Sequence, residues 1–192
     1  MCIWRGWIPC SVETAEYRGC TDPNPRIDFV PVPDIIIRPA TRADLPTLGK
    51  LGVMLVRMHY EFDTRRFIEP RDGMSSGYGS FLGSQIASRD AVVLVAEMNG
   101  QVIGYTYATV EGPDWMSLRG PAGVLQDIIV DPAHREHGAG RMLLDATLAA
   151  LKDRGAPRVV LSTAERNEPA QRLFTRAGFR PTMIEMTRDF ES

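Results

Sequence analysis

A surplus of basic residues, a long apolar run and a signal-peptide core are all missing from this sequence of 192 residues. Its 22 lysines and arginines are balanced by 24 aspartates and glutamates, which leaves a formal net charge of -2. This balance gives no sign of nucleic-acid binding, which favours basic patches. No apolar run approaches the roughly 20 residues that span a bilayer. We therefore expect a cytoplasmic protein that binds neither nucleic acid nor membrane.

Cysteine is confined to the first twenty residues. Cys2, Cys10 and Cys20 match no zinc-binding or redox spacing, and an odd number leaves one unpaired in any disulfide scheme. The same region contains several prolines and no sustained periodicity. We therefore predict an irregular N-terminal extension with free thiols over residues 1–34. The remaining length suits one domain, over residues 35–192.

The domain begins with an apolar strand and a capped helix. Residues 35–39 (IIIRP) have the apolar character of a short strand that ends at proline. Thr41 and Asp44 follow at capping-box spacing, and leucines then recur at near-helical intervals. Beyond this helix, residues 60–85 contain four glycines and predict a mixed helical and looped region. Loops of this size often shape a substrate pocket.

The clearest local signal is a hairpin. The β-branched and aromatic residues of 92–97 and 101–110 favour strands, and Asn99-Gly100 between them is the favoured pair for a type I′ turn. A further apolar segment, 123–130, predicts the next strand of the sheet.

Two polar residues, Gln126 and Asp127, interrupt that last strand. Burying them costs free energy unless they are hydrogen-bonded or face a cleft. Because side chains alternate along a strand, we expect the two to point to opposite faces of the sheet, so that at most one faces a cleft directly.

Strands alternate with helices only in the second half. The pattern predicts a helix over 141–154 that stops at Gly155, a strand over 158–163, and a helix capped by Asn167. The tail, 182–190, is predicted to close the sheet as one or two further strands. The arrangement favours a mixed sheet over a doubly wound parallel one.

A glycine-containing turn joins the strand at 123–130 to the helix at 141–154. Arg135, Gly138 and Gly140 lie in this turn. The first N–H groups of a helix have no intrahelical partner and the helix dipole adds positive potential, so this arrangement can bind phosphate. Arginine would add a fixed charge. The pattern is neither a nucleotide-triphosphate loop nor the dinucleotide fingerprint, and by itself it does not identify the ligand.

A second motif that follows the glycine turn in the sequence makes the signal more specific. The turn VDPAHREHGAGRMLL, followed after a strand by AERNEPAQRLFTRAGF, resembles the GNAT family of N-acetyltransferases, and IIIRPATRADLP is similar to that family's first strand and helix. The resemblance covers residues 35–190. The matching positions are Arg135, Gly138 and Gly140 in the first motif and Asn167, Ala170, Phe174, Gly178 and Phe179 in the second.

The resemblance implies an α/β (α+β) fold with a mixed, mostly antiparallel sheet flanked by helices, in which the fourth and fifth strands splay apart. It also implies acetyl-CoA as co-substrate: the turn would hold the pyrophosphate, the exposed fourth strand would bond to the pantetheine arm, and the thioester would lie near Asn167. The implied coenzyme-binding residues are Ile128, Ile129, Val130, Arg135, Glu136, His137, Gly138, Ala139, Gly140, Arg141, Asn167, Ala170 and Phe174.

The sequence departs from the family at the group that would protonate the leaving thiolate. Many members have a tyrosine at the position of Phe174, which has no proton to give. Asp127 is our candidate for a catalytic base or an anchor for the substrate amine, with a structural hydrogen-bonding role as the alternative. Gln126 and Tyr60 are candidates for the acceptor pocket. Glu165 and bound water are the other candidates, with Tyr60, Tyr105 and Tyr107 as possible proton donors from elsewhere in the chain.

These residues predict an N-acetyltransferase that acts on a primary amine of a small molecule or peptide. The alternative, suggested by Phe174, is a catalytically silent domain that senses acyl-CoA; a general nucleotide-binding protein is a third reading. His134 and His137 lack an evident third ligand, so we expect no metal. Because members of the family are often dimers, a homodimer is possible.

Overall fold

A computed structural model describes residues 34–135 and 137–190. Five strands form one sheet in the order β1-β2-β3-β4-β5, with neighbours antiparallel except for β4 and β5, which are parallel. The predicted mixed, mostly antiparallel sheet is confirmed. The strands are β1 (Ile35–Pro39), β2 (Ala91–Met98), β3 (Gln101–Glu111), β4 (Ala122–Val130) and β5 (Val159–Leu161), and the helices are α1 (Leu45–Phe62), α2 (Met74–Ile86), α3 (Ala139–Asp153) and α4 (Glu168–Arg176).

Helices cover both faces of the sheet. Helices α1 and α2 pack on one face, where leucines of α1 join Tyr105, Tyr107 and Ile129 in a buried cluster. Helices α3 and α4 pack on the other, where Leu144 and Phe174 join residues of β2, β3 and β4. Each face therefore has its own apolar core. None of the described helices is long and apolar enough to cross a membrane.

Local sequence signals explain where several elements begin and turn. The Asp44 carboxylate accepts a hydrogen bond from the Thr41 backbone N–H at 2.7 Å, so the predicted capping box before α1 is confirmed. Asn99 and Gly100 have φ values of 53° and 78°, the left-handed conformation that a type I′ turn requires. The hairpin between β2 and β3 is thus as predicted.

Helix α2 occupies part of the segment that we predicted to be mixed helix and loop. It lies very close to α1 because glycines face each other across the contact. A Cβ atom built at Gly49 would lie 2.1 Å from the Ser75 carbonyl oxygen, and one at Gly79 would lie 2.8 Å from that of Leu45. These glycines permit backbone contact between two helices. From the sequence alone, we interpreted them as interruptions of helical structure.

The C-terminal tail does not extend the sheet. No strand follows β5 in the described residues, so the prediction of one or two closing strands over 182–190 is wrong. The segment has no regular secondary structure, and Met186 is 90% exposed. Ion pairs between Arg66 and Glu185, and between Arg65 and Asp189, tie it to the loop after α1. These residues favour a strand but form none, because no neighbouring strand in the described residues pairs with them.

The predicted N-terminal extension over 1–34 lies, apart from Asp34, outside the described residues.

Candidate functional site

Strands β4 and β5 part halfway along β4. Their parallel pairing covers three residue pairs and ends at Leu125 with Leu161. Strand β4 continues to Val130, paired with β3 on one side and with no strand of the described residues on the other. The predicted splay is therefore present, and it leaves a stretch of open β4 edge.

The parting coincides with a β-bulge at Gln126. Tyr107 of β3 pairs with Asp127, whereas the next β3 residue pairs with Leu125, so Gln126 is an extra residue in β4. Gln126 donates to the Glu111 carboxylate at 3.3 Å, and Glu111 shares a face of β3 with Tyr107. Gln126 and Asp127 thus lie on the same face, and the expectation of opposite faces is wrong because the bulge shifts the alternation.

Asp127 is the most unusual ionisable group of this face. The Tyr78 hydroxyl, from α2, donates to its Oδ2 at 2.5 Å, and the Tyr105 hydroxyl, from β3, donates to the same oxygen at 2.9 Å. Burial raises the pKa of Asp127 above its usual range, while the two hydroxyls and the nearby His59 act in the opposite direction. Such competing influences are typical of carboxyl groups in functional clefts.

The tyrosines around Asp127 stay protonated. Burial, together with the negative charge of Asp127, raises the pKa of both Tyr78 and Tyr105 well above the usual range. Their hydroxyls therefore act as fixed hydrogen-bond donors to the carboxylate. The Tyr107 hydroxyl is engaged elsewhere, because it donates to the Gln85 side chain at 3.0 Å.

The end of α1 lies beside this group. His59 bonds through Nδ1 to the Leu55 carbonyl oxygen at 2.9 Å and makes edge contacts with Phe62 and Phe67. Tyr60, our candidate for the acceptor pocket, is half-buried and has no side-chain hydrogen bond within the described residues. His59 lies near enough to Asp127 to influence its charge, and no hydrogen bond joins Tyr60 to Asp127 within the described residues.

The glycine turn leads from β4 into α3. Gly138 has φ of 83°, a conformation that residues with a side chain rarely adopt. A Cβ atom at Gly140 would make only ordinary contacts at 3.8 Å, so Gly140 is not required by the packing of the protein itself. Its small size leaves space in front of the helix.

The first hydrogen bonds of α3 among the described residues are made to Gly138. The N–H groups of Arg141 and Met142 donate to the Gly138 carbonyl oxygen at 3.0 and 3.1 Å. In the described part of the chain, no acceptor is found for the N–H groups of Ala139 and Gly140. Because these groups carry the positive end of the helix dipole, they suit an anion.

Charged side chains flank this helix start. Arg135 is exposed, and its Nε lies 3.3 Å from the Val130 carbonyl oxygen at the end of β4. Arg141 pairs with Asp145 at 2.7 Å and also donates to the Arg176 carbonyl oxygen at 3.2 Å, which links α3 to α4. His137 is exposed, and Glu136 lies outside the described residues.

The second motif forms the turn before α4 and the helix itself. Asn167 is buried and caps α4 by accepting a hydrogen bond from the Ala170 N–H at 3.3 Å, so the predicted cap is confirmed. Phe174 is only 6% exposed and packs edge-on against Phe179, with ring centroids 5.8 Å apart. Glu165 is exposed, at the turn before α4. Phe174 is thus a core residue of α4.

The strand residues assigned to the coenzyme divide between the two faces. Ile129 is buried beneath α1 and α2, whereas Ile128 and Val130 are half-buried on the face of α3. Their backbone forms the open edge that follows the bulge. The described residues contain no cluster of three or more His, Cys, Asp or Glu side chains that could hold a metal ion.

Sequence reasoning missed Tyr78. It lies in a glycine-rich segment, GYGSF, that suggested loop structure, so its helical position and its direction were not evident. A signal was present in retrospect: Gly79 and Gly83 are four residues apart, the spacing of one helix face.

Comparisons with known proteins agree on one family. The family model described as "Acetyltransferase (GNAT) family" matches residues 57–179. The uncharacterized N-acetyltransferase YhfO of Bacillus subtilis is 31% identical over 105 residues, which cover 54% of this chain and 68% of YhfO. A mycothiol acetyltransferase of Thermomonospora curvata is 38% identical over 89 residues, which cover 46% of this chain but only 28% of that protein.

Solved structures show the same fold. The aminoglycoside N-acetyltransferase AAC(6')-Iy, solved in complex with CoA, superimposes with a TM-score of 0.64 at 18% sequence identity, covering 83% of this chain and 97% of that one. At that identity, the likeness concerns the arrangement of helices and strands.

Proposed function

Because this chain belongs to the GNAT family of acetyltransferases, as the match over residues 57–179 shows, we propose that it transfers an acetyl group from acetyl-CoA to a primary amine. The observation that carries the proposal is the open edge of β4, which leads from the bulge at Gln126 to the start of α3. An elongated ligand with amides along its length and phosphates at one end fits that path.

The residues present fit acetyl-CoA. The backbone of Ile128 to Val130 would bond to the amides of the pantetheine arm, as a strand is added to an open sheet edge. The N–H groups of Ala139 and Gly140 would bind the pyrophosphate, with Arg135 as the nearby positive charge. His137, Gly138 and Arg141 shape the turn that presents those donors.

Acetyl-CoA supplies the acetyl group as a reactive thioester. The chain's part is to hold that group where the strands separate, between β4 and the wall formed by Asn167, Ala170 and Phe174. Phe174 has no acidic proton and is buried, so it contributes packing. The thiolate would then take its proton from water or from another group.

Asp127 is our candidate for the group that handles the acceptor. It lies immediately after the bulge, on the face of the sheet opposite α3 and α4, and burial favours its uptake of a proton. As a carboxylate it would bind an ammonium group or accept a proton from the amine before attack. Gln126 and the end of α1, including Tyr60, would form the rest of the acceptor pocket.

The acceptor is proposed to be a small molecule. The names of similar proteins include a mycothiol acetyltransferase and an aminoglycoside N-acetyltransferase, which are acetyltransferases of small molecules. The chain spans about a quarter of the length of that mycothiol acetyltransferase, so its substrate does not transfer directly. A peptide amine is the alternative class.

Turnover separates an enzyme from a sensor. The purified chain is incubated with acetyl-CoA and a panel of amines that includes polyamines, aminoglycosides, amino sugars and short peptides. Thiol release is followed with a dye, and products are identified by mass spectrometry. An acetylated amine formed in equal amount with free coenzyme A supports the proposal. Coenzyme binding without amine-dependent thiol release supports the silent sensor suggested by Phe174.

A further inference from the structure

Tyr78 reaches Asp127 only because Gly52 leaves room for its ring. A Cβ atom built at Gly52, on α1, would lie 2.3 Å from Cδ1 and 2.6 Å from Cε1 of the Tyr78 ring. No ring atom can stay at such a distance, so any larger residue at position 52 would displace the ring. Gly52 thus permits the ring position from which the Tyr78 hydroxyl reaches Asp127.

The two tyrosines leave one oxygen of Asp127 for a ligand. Both hydroxyls donate to Oδ2, and no donor within the described residues reaches Oδ1. In that part of the chain, the only fully buried side-chain nitrogen or oxygen without a partner is Nδ1 of His134. Among the described residues, Oδ1 of Asp127 thus keeps its capacity to accept a hydrogen bond, although the residue as a whole is largely enclosed.

We infer that Tyr78, whose ring position depends on the space left by Gly52, is a positioning residue for acetyl transfer: it fixes the Asp127 carboxylate so that Oδ1 is presented to a cationic amine of the acceptor. This inference rests on the proposed function. It also narrows the acceptor class, since an enclosed carboxylate with one available oxygen favours a protonated amine over a neutral amide or hydroxyl.

The groups that face Asp127 come from three elements besides its own strand. They are His59 from α1, Tyr78 from α2, and Tyr105 and Tyr107 from β3. Two of the hydroxyls donate to Asp127 directly, whereas the Tyr107 hydroxyl donates to Gln85. Removal of the Tyr78 hydroxyl should therefore favour the protonated form of Asp127, and removal of the Tyr107 hydroxyl should affect it far less.

The first test measures Asp127 in the unliganded chain. Its carboxyl carbon is followed by carbon-13 NMR across pH, and the resonance is assigned by its loss in Asp127→Asn. We expect Tyr78→Phe to move the titration of Asp127 to higher pH, because the carboxylate loses a hydrogen bond. Tyr107→Phe, which removes a hydroxyl from the same face, is the matched control and should leave the titration in place.

The second test separates the role of Gly52 from a general effect of alanine. Gly52→Ala should reproduce the titration shift of Tyr78→Phe. Gly77→Ala, the same change one residue before Tyr78, meets no atom within 4 Å and should produce no shift. If Gly52→Ala does not fold, Tyr78→Phe and its control still decide the inference.

Activity then links the titration to the reaction. With an amine acceptor, Tyr78→Phe should lower kcat/KM about tenfold at the acidic end of the pH range and less at high pH, where Asp127 is ionised in both proteins. The fall of kcat/KM at acidic pH should persist in His59→Gln. Its persistence would show that the fall does not arise from the histidine.

The outcomes for the two proposals are distinct. An Asp127 titration that moves in Tyr78→Phe, in a chain that acetylates no amine, would support the positioning role and contradict the proposed function. Acetyl transfer by a chain whose Asp127 titration and fall of kcat/KM at acidic pH are the same in Tyr78→Phe as in the parent would support the function and overturn the inference.

Discussion

At the scale of single residues, two enclosed aspartates show how different surroundings shift the pKa of a carboxyl group in opposite directions. The Asp44 carboxylate receives both terminal nitrogens of Arg38, at 2.8 and 2.9 Å, and its pKa is lowered to about 2, chiefly by that hydrogen bonding. Among the described residues, no arginine or lysine pairs with Asp127, and burial raises its pKa. The first is held ionised at all ordinary pH values, whereas the second can exchange a proton.

The Asp44 pair gives a prediction for stability against pH. Since the pKa of Asp44 is below its unfolded value of 3.8, its contribution is fully present above that value and is lost as the pH falls toward about 2. Asp44→Asn should lower the free energy of unfolding at neutral pH by about 2 kcal/mol. Urea unfolding at several pH values should also show a shallower loss of stability in acid. An unchanged acid slope would contradict the ion-pair role.

Asp127 gives a prediction for activity. Asp127→Asn keeps the shape of the side chain but removes its charge and its basicity. Acetyl transfer should fall about 100-fold or more in kcat/KM, since general-base catalysis contributes at least that much. Acetyl-CoA affinity, measured by calorimetry, should not change. A variant that acetylates at the parent rate would leave Asp127 with a structural role only.

At the scale of elements, two glycines of α2 have different structural roles. Gly79 is buried against α1, where an added Cβ would lie 2.8 Å from the Leu45 carbonyl oxygen, whereas Gly77 is exposed and meets nothing. Gly77→Ala should stabilise the protein by about 0.5–1 kcal/mol through its helix propensity. Gly79→Ala should destabilise it, because backbone must move. Equal effects in thermal unfolding would contradict the close helix contact.

The start of α3 gives a matched pair for ligand binding. Gly138 and Gly155, at opposite ends of the helix, have φ of 83° and 84°, and an added Cβ meets nothing within 4 Å at either. Valine at either position should impose similar backbone strain. Only Gly138→Val should weaken acetyl-CoA binding, by about tenfold in calorimetry. Equal affinities in the two folded variants would remove the turn from the coenzyme site.

The same elements show what the sequence can predict. The hairpin at Asn99-Gly100, the cap at Asn167 and the glycine turn before α3 follow from local rules, because turn and cap geometry depends on the residues themselves. The bulge at Gln126 could not be predicted from the sequence, because it depends on the register between two strands. The direction of Tyr78 likewise depends on contact with a helix that is distant in sequence.

At the scale of the whole molecule, two sequence motifs predict the fold and the family. They do not predict the structure of the two terminal segments. The segment at 182–190 has the residues of a strand and forms none, because strand formation needs a partner edge as well as propensity. The N-terminal extension with its free thiols, a homodimer and a cytoplasmic location stay predictions.

The proposed coenzyme site follows one path through the molecule, in which the open edge of β4 and the first turn of α3 would together receive acetyl-CoA. Amide chemical shifts of the nitrogen-15-labelled chain, recorded as acetyl-CoA is added, test this path residue by residue. We predict the largest changes at Ile128 to Val130 and at Ala139 and Gly140. Binding that leaves these amides unchanged while others shift would contradict the proposed coenzyme site.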